Sequence, residues 1–267
     1  MKQMEQKKQE IQINRKEFYR NLTRIALPIA LQSLMLASVA AGDALMLGKV
    51  AQNEMTAVSL ATQIQFVQNM FLSAVTAAGA ILGAQYWGKG DRRTLENVFD
   101  IMLWYCGIVS VLFFLACELI PEQLMHIFTN AAPLVTIGSS YLRIAGWSYL
   151  ITGISQCYLT TMKVSEHVKP GAVISSCAVI LNICLNAVFI FGLFGAPRMQ
   201  AKGAALATTI SRIIELALCV AVSARASYIR PALDRFTKLP RQLRTDFIKQ
   251  CLPLMGGSLC WGIGFTS

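Results

Sequence analysis

The chain has 267 residues, of which 55% are hydrophobic and 14% are charged. Because soluble domains carry roughly 25% charged residues, this composition is typical of a membrane protein. The formal net charge is +10. Its basic residues are divided among the segments between hydrophobic stretches and lack interleaved aromatic residues, which argues against nucleic acid as a partner.

Six segments of the chain are apolar and carry few or no charges. A helix needs about 20 residues to cross roughly 30 Å of hydrocarbon, and each segment is close to that length or longer. In chain order they are residues 25–47, 55–86, 101–117, 144–162, 172–194 and 203–224. A seventh begins near Cys251, and the sequence ends before it could cross. We therefore predict an all-α polytopic membrane protein, a six-helix transmembrane bundle with a partial seventh helix.

The basic residues are unevenly distributed between the connections. The N-terminal tail and the second, fourth and sixth connections carry 19 of the 24 Lys and Arg residues, whereas the other connections carry 4. By the positive-inside rule, we predict a multi-pass protein of the cell membrane with its N-terminus in the cytoplasm. We predict a cytoplasmic tail (1–24), a six-helix transmembrane lobe (25–224), a basic cytoplasmic linker (225–250) and the start of a truncated seventh transmembrane helix (251–267).

A short internal repeat indicates a larger architecture. Leu27-Pro28-Ile29 with Ser33-Leu34 recurs as Leu252-Pro253-Leu254 with Ser258-Leu259, at an offset of 225 residues. Parallel repeats of about six spans occur in transporters, so the repeat favours the first half of a twelve-span protein. Pro28 either permits a bend in the first span or is tolerated in the first turn of the helix.

Asp43 is the one acidic residue in segment 25–47. A carboxylate at membrane depth is costly, so it indicates function unless it lies at the interface. Asn182 and Asn186 share a helical face, and helix geometry places Asp43, Asn186 and Thr208 at similar depths in the outer half of the membrane. Such oxygens and amides can hold a carboxylate charged, bind a cation or orient a substrate; alternatively they join helices by hydrogen bonds.

Further polar residues lie in or beside the spans. Arg212 and Glu215 are three residues apart, and we predict an internal ion pair. Asp100 and Glu118 lie at the two ends of the third segment, where we expect interfacial water to solvate them. Four amides of the second segment point in several directions, so that only some can face a cavity: Gln63, Gln65, Gln68 and Asn69.

Motifs of enzymes and metal centres are absent from the sequence. It contains no H-E-x-x-H, no P-loop and no G-x-S-x-G. Asp43 has no second membrane Asp with which to form a protease dyad. The eight cysteines form no C-x-x-C pair, which fits neither zinc nor a disulfide framework. We predict a protein that is not an enzyme and has no cofactor.

The ordered motifs of the chain resemble a known family. They are Ile25-Ala26-Leu27-Pro28, Gly42-Asp43, Ala61-Thr62-Gln63-Ile64, Tyr141-Leu142-Arg143-Ile144, Asn182-Ile183-Cys184-Leu185-Asn186 with Ile190-Phe191-Gly192, and Gly203-Ala204-Ala205-Leu206-Ala207-Thr208. Taken in this order from about residue 20 onward, the chain is similar to the first lobe of multidrug and toxic compound extrusion (MATE) transporters.

The resemblance implies two six-helix lobes that export organic cations and other amphipathic drugs against inward flow of H⁺ or Na⁺. It implies that Asp43, Asn182, Asn186 and Thr208 serve cation coupling. Many members carry Asp where this chain has Asn186, so one carboxylate remains and a two-acid sodium site is disfavoured. Na⁺ at Asp43 stays open, as does proton coupling, because partial burial raises a carboxyl pKa.

Two alternatives to a drug antiporter remain open on the sequence. One is a lipid-linked saccharide flippase of the same broad fold, although such cavities usually carry several basic residues and Arg212 is the only deep one here. The other is a membrane fragment that does not transport. The expected partners are small amphipathic or cationic substrates, the lipid bilayer, and a second lobe or another chain.

Overall fold

The structure is a computed structural model that describes residues 46–48, 51–195, 197–226 and 241–266, together with scattered residues between 19 and 34. These ranges are helical and contain no strand. Their helices are α1 (Gln52–Gly88), α2 (Arg92–Leu119), α3 (Pro121–His126), α4 (Ala132–Val164), α5 (Val168–Phe191), α6 (Gln200–Ala226) and α7 (Arg241–Thr266), with a 3₁₀ turn at Leu193–Gly195. The predicted all-α class is confirmed.

Four helices in the described part are long and apolar enough to cross a membrane: α1, α2, α5 and α6 as far as Arg225. They contain the second, third and sixth predicted segments and the fifth as far as Phe191. The fourth segment lies in α4, which has 33 residues but is richer in hydroxyl side chains. Most of the first segment lies outside the described residues.

α4 occupies the middle of the bundle and packs against α1, α2 and α6. Three of its buried hydroxyls are satisfied within the helix, since Ser148, Thr152 and Thr161 donate to carbonyl oxygens three or four residues earlier, each at 2.7 Å. The buried hydroxyls of Tyr149 and Ser155 have no hydrogen-bond partner among the described residues. Back-bonding to the preceding turn lets a Ser- and Thr-rich helix lie in a protein interior with few unpaired donors. The low hydropathy of α4 therefore reflects contact with other helices rather than with lipid.

The helices begin and end away from the limits of the apolar segments. α2 begins at Arg92, two turns before Asp100, so the Asp100 side chain is fully buried inside the bundle. Our expectation that interfacial water solvates Asp100 was wrong. The position at which the sequence becomes apolar, residue 101, is neither where the helix begins nor where the surface of the bundle lies. At the other end of the lobe, α5 ends at Phe191, and Phe194 lies in the following turn, 96% exposed.

A tight turn joins α1 to α2. Gly90 adopts a positive φ of 74°, and the Asp91 carboxylate accepts hydrogen bonds from the Thr94 backbone N–H at 3.0 Å and the Thr94 hydroxyl at 2.6 Å. These bonds, the one from the hydroxyl first, lower the pKa of the Asp91 carboxyl. Asp91 is therefore charged at neutral pH, and its negative charge stabilises α2 by interacting with the positive, N-terminal end of the helix dipole.

α7 is continuous through the predicted boundary at residues 250 and 251. It begins at Arg241 and buries Leu243, Phe247 and Cys251, which are spaced four residues apart on one face. The Phe247 ring stacks on Tyr105 of α2, with centroids 5.7 Å apart and an interplanar angle of 6°. The last ten residues of the predicted linker are thus part of a helix packed against the lobe.

Candidate functional site

A chain of hydrogen bonds joins α5 to α6 within the bundle. The side-chain Nδ2 of Asn186 donates to the side-chain Oδ1 of Asn182 at 3.1 Å, and Asn182 Nδ2 donates to the Thr208 hydroxyl at 3.2 Å. Asn186 is fully buried and Asn182 is 5% exposed. Three residues that the sequence singles out for cation coupling therefore lie together, and Thr208 contacts Asn182 rather than Asn186, which lies one turn further along α5.

The backbone of the α5–α6 hairpin brings Asn182 and Thr208 into contact. Asn182 and Asn186 are one helical turn apart, so their side chains lie on the same face of α5. Gly192 ends α5 with a left-handed φ of 74°, and Met199 N–H donates to the Phe189 carbonyl at 2.9 Å. A Cβ built on Gly203 would lie 2.8 Å from the Phe189 carbonyl carbon and oxygen. Glycine there allows the two helices to approach closely enough for the amide of α5 to reach the hydroxyl of α6.

A cavity of about 610 Å³ opens between α1, α4, α5 and α6. Asn182 and Thr208 belong to its wall, whereas Asn186 does not. Of the 22 residues that line it, 14 have polar side chains. This cavity has the size of a site for a drug-sized molecule, and its wall offers hydrogen-bonding groups at many positions.

The α1 wall of the cavity shows a sequence signal that we missed. Its lining residues include a stripe at alternating spacings of three and four, which places them on one helical face: Ser59, Thr62, Phe66, Asn69, Ser73 and Thr76. Gln63 and Gln65 also line the cavity, while Gln68 is buried and donates to the Tyr149 carbonyl at 2.9 Å. A search for hydroxyl as well as amide side chains at spacings of three and four residues could have found this stripe in the sequence.

Arg212 and Glu215 form an ion pair on α6. Arg212 Nη1 lies 2.6 Å from Glu215 Oε2, and the two side chains are 22% and 2% exposed. Arg212 lines the cavity and Glu215 does not. Pairing explains how a carboxylate is accommodated at this depth, since an isolated charge there would carry a large desolvation cost.

Two predicted residues lie outside the described ranges: Asp43, proposed as the titrating group, and Pro28, proposed as the bend. The structure therefore gives no geometry for either. In the ranges that it does describe, no group of three or more His, Cys, Asp or Glu side chains could hold a metal ion.

The family model named MatE matches residues 28–188, more than half of the chain. The chain belongs to the MatE family. Because this is a family of transporters, the prediction that the protein is not an enzyme is confirmed. The match also supports the resemblance to MATE transporters that the ordered motifs indicate.

Curated relatives include a probable multidrug resistance protein NorM from Bradyrhizobium diazoefficiens, 28% identical over 240 residues. A multidrug resistance protein MdtK from Pectobacterium atrosepticum is 26% identical over 215 residues. These alignments cover 89% and 79% of this chain but 50% and 46% of the relatives. The chain thus spans about half the length of the curated relatives it matches.

Solved structures of MATE transporters share this fold. An outward-facing multidrug resistance MATE transporter has a TM-score of 0.80 at 18% identity, covering 91% of this chain and 53% of that one. The Vibrio cholerae MATE transporter VcmN in its bent form has a TM-score of 0.83 at 17% identity, with coverages of 94% and 56%. The MatE lobe described here is therefore a helical membrane fold of the MATE type.

Proposed function

We propose that this chain is the first lobe of a cation-coupled antiporter that exports organic cations and other amphipathic drugs. The observation that carries this proposal is the cavity of about 610 Å³, in which 14 of the 22 lining residues have polar side chains although it lies between membrane helices. Polar side chains in such helices are costly, and a substrate or ion pathway gives a reason for them. The names of the NorM and MdtK relatives agree with a role in drug export.

Cation coupling in this proposal depends on Asp43. The Asn186, Asn182 and Thr208 chain supplies amide and hydroxyl groups but no charge, and no acidic side chain lines the described part of the cavity. A titratable group is needed for proton coupling, and the sequence offers Asp43 in the preceding span. The coupling ion is H⁺ or Na⁺, with the single carboxylate favouring H⁺.

Export requires a partner for this lobe. In transporters built from parallel repeats, substrate sites lie between or within halves that rock against each other. We propose that the lobe works with a second six-helix lobe in the cell membrane, with the N-terminus in the cytoplasm, and that the 267 residues alone are inactive in transport. The single basic side chain in the described cavity wall, Arg212, does not favour a saccharide flippase.

The test is efflux of ethidium from a bacterium that lacks its own drug exporters and expresses the gene as its host encodes it. We expect ethidium efflux that stops when the coupling gradient is dissipated, and efflux abolished by Asp43→Asn. Glu122→Gln, at an exposed position on α3, removes one carboxylate elsewhere and is expected to leave efflux unchanged.

Two results of this experiment would contradict the proposal. Unchanged efflux in Asp43→Asn would remove the coupling role of that residue, and no efflux by the unmodified protein would refute drug export. Two treatments distinguish H⁺ coupling from Na⁺ coupling: a proton uncoupler added in sodium-free medium, and removal of sodium while the proton gradient is held constant. If H⁺ is the coupling ion, we expect the uncoupler to stop efflux and the removal of sodium to have no effect.

A further inference from the structure

Arg212 presents an unused set of donors to the cavity. Its guanidinium has five N–H groups, of which one nitrogen, Nη1, is bonded to Glu215. The structure gives the other donors no partner among the described residues. The side chain lines the cavity and is 22% exposed, so these donors are accessible from it.

The buried carboxylate of Glu215 holds this guanidinium in place. Glu215 lies three residues further along α6 and is 2% exposed, behind the lining. An arginine anchored at one nitrogen has already lost part of its rotamer freedom, so little more is lost when its remaining donors bind a ligand. The pair is formally neutral, but it presents a guanidinium that is already held in place, with open donors, to the cavity.

The rest of the described wall is compatible with an anion. Arg212 is the one charged side chain among the described lining residues, and the others with polar side chains are neutral. Gln156 on α4 and Gln63 on α1 add amide groups to the same cavity. An acidic group entering here meets donors and no described carboxylate in the lining, whereas a cationic group placed at Arg212 is repelled.

We propose that Arg212 is a specificity-determining residue that binds the carboxylate of amphipathic organic substrates, so that among organic cations the cavity prefers those that also carry a carboxylate. The proposal rests on the proposed function, because it names a substrate class for the cavity of that exporter. A guanidinium and a carboxylate form paired, charge-assisted hydrogen bonds, which a simple organic cation cannot make.

The test compares two dyes that differ in one carboxylate. Rhodamine 110 carries a free carboxylate beside its cationic ring system, and rhodamine 123 is the methyl ester of the same molecule. Binding to the purified chain in lipid nanodiscs is measured by fluorescence anisotropy. We expect rhodamine 110 to bind about tenfold more tightly than rhodamine 123, as expected for one charge-assisted contact.

Variants locate this preference at Arg212. Arg212→Gln alone strands the buried Glu215 carboxylate, so the double variant Arg212→Gln with Glu215→Gln is used, with helical content and monodispersity as checks of folding. We expect the double variant to bind both dyes equally. Arg212→Lys keeps the positive charge but lacks the paired N–H donors of the planar guanidinium, so it should retain part of the preference for rhodamine 110. Arg143→Gln, at an exposed position away from the cavity, is the matched control and should keep all of it.

Three outcomes would overturn the proposal: no preference for rhodamine 110 in the unmodified chain, no binding of either dye, or an unchanged preference in the folded double variant. Any of these would leave Arg212 as a structural ion-pair partner. They are distinct from failure of drug export itself, which the ethidium assay reports with the protein as its host encodes it.

Discussion

Asn182 is the residue through which the polar groups of α5 and α6 are connected. Its carbonyl oxygen accepts from Asn186 and its amide donates to Thr208, so both ends of the side chain are used. With both ends fixed, the amide cannot reverse without losing two hydrogen bonds at once. Asn182 thereby orients the Thr208 hydroxyl, which lines the cavity.

We expect Thr208→Val to lower ethidium efflux and to reduce the stability of the purified protein by about 1 kcal/mol, since valine has the shape of threonine but leaves the Asn182 amide without its acceptor. Thr208→Ser retains the hydroxyl and is expected to behave nearly as the unmodified protein. Efflux and thermal unfolding of the two variants are compared. Equal behaviour of valine and serine would mean that this hydrogen bond has no functional part.

The sequence predicted this cluster better than it predicted the cavity around it. Helical spacing grouped Asn182 with Asn186, because one turn of helix fixes their relation. Depth placed Thr208 near them but matched it to Asn186, whereas its hydrogen bond is with Asn182. Thr62 and Gln156 were missed, since a lone hydroxyl or amide in a span carries no signal until the neighbouring helices show which face is covered. The position of Asp43 relative to the cluster remains a prediction.

At the scale of elements, the α5–α6 hairpin depends on a close approach of backbones. The Gly203 Cα faces the Phe189 peptide group, and a Cβ there would lie 2.8 Å from its carbon and oxygen atoms. Backbone atoms cannot move aside as the end of a flexible side chain can. Any substitution at Gly203 therefore separates α5 from α6, the two helices that carry the polar cluster.

We expect Gly203→Ala to destabilise the protein by about 1–3 kcal/mol, as overpacking does in cores, and to lower efflux because Asn182 and Thr208 move apart. Gly107→Ala on α2 is the matched control, since nothing lies within 4 Å of the added methyl group, and it should be neutral or slightly stabilising. Apparent melting temperatures of the purified variants give the comparison. A melting temperature for Gly203→Ala as high as that of the control would show that the hairpin relaxes at no cost.

The limits of elements were harder to predict from the sequence than their existence. Apolar stretches located α1, α2, α5 and α6, because crossing hydrocarbon demands such residues. They could not locate the start of α7 at Arg241, since its first turns carry charges on one face and bury Leu243 and Phe247 on the other. Only packing against α1 and α2 distinguishes such a helix from a solvated linker.

At the scale of the whole molecule, one contact fixes the relative direction of two helices. The Glu54 carboxylate in the first turn of α1 accepts a hydrogen bond from the Ala201 backbone N–H at the start of α6, at 3.0 Å. The two helices therefore begin on the same side of the bundle and run in parallel. This agrees with the predicted spans, because the chain crosses the membrane four times, an even number, from the start of the second span to the start of the sixth.

The charge bias then predicts on which side of the membrane these helices begin. The α1–α2 turn carries Lys89, Arg92 and Arg93, whereas the α5–α6 turn carries Arg198 and Lys202 after five crossings. Because basic residues favour the cytoplasmic side, α1 and α6 should begin outside. Alkaline phosphatase, active only outside the cytoplasm, should be inactive when fused after Gly90 and active when fused after Arg198. A fluorescent protein that fluoresces only in the cytoplasm, fused at the same sites, should give the opposite pattern. Phosphatase activity in the fusion after Gly90 would contradict the predicted orientation, on which the position of the polar cluster in the outer half of the membrane depends.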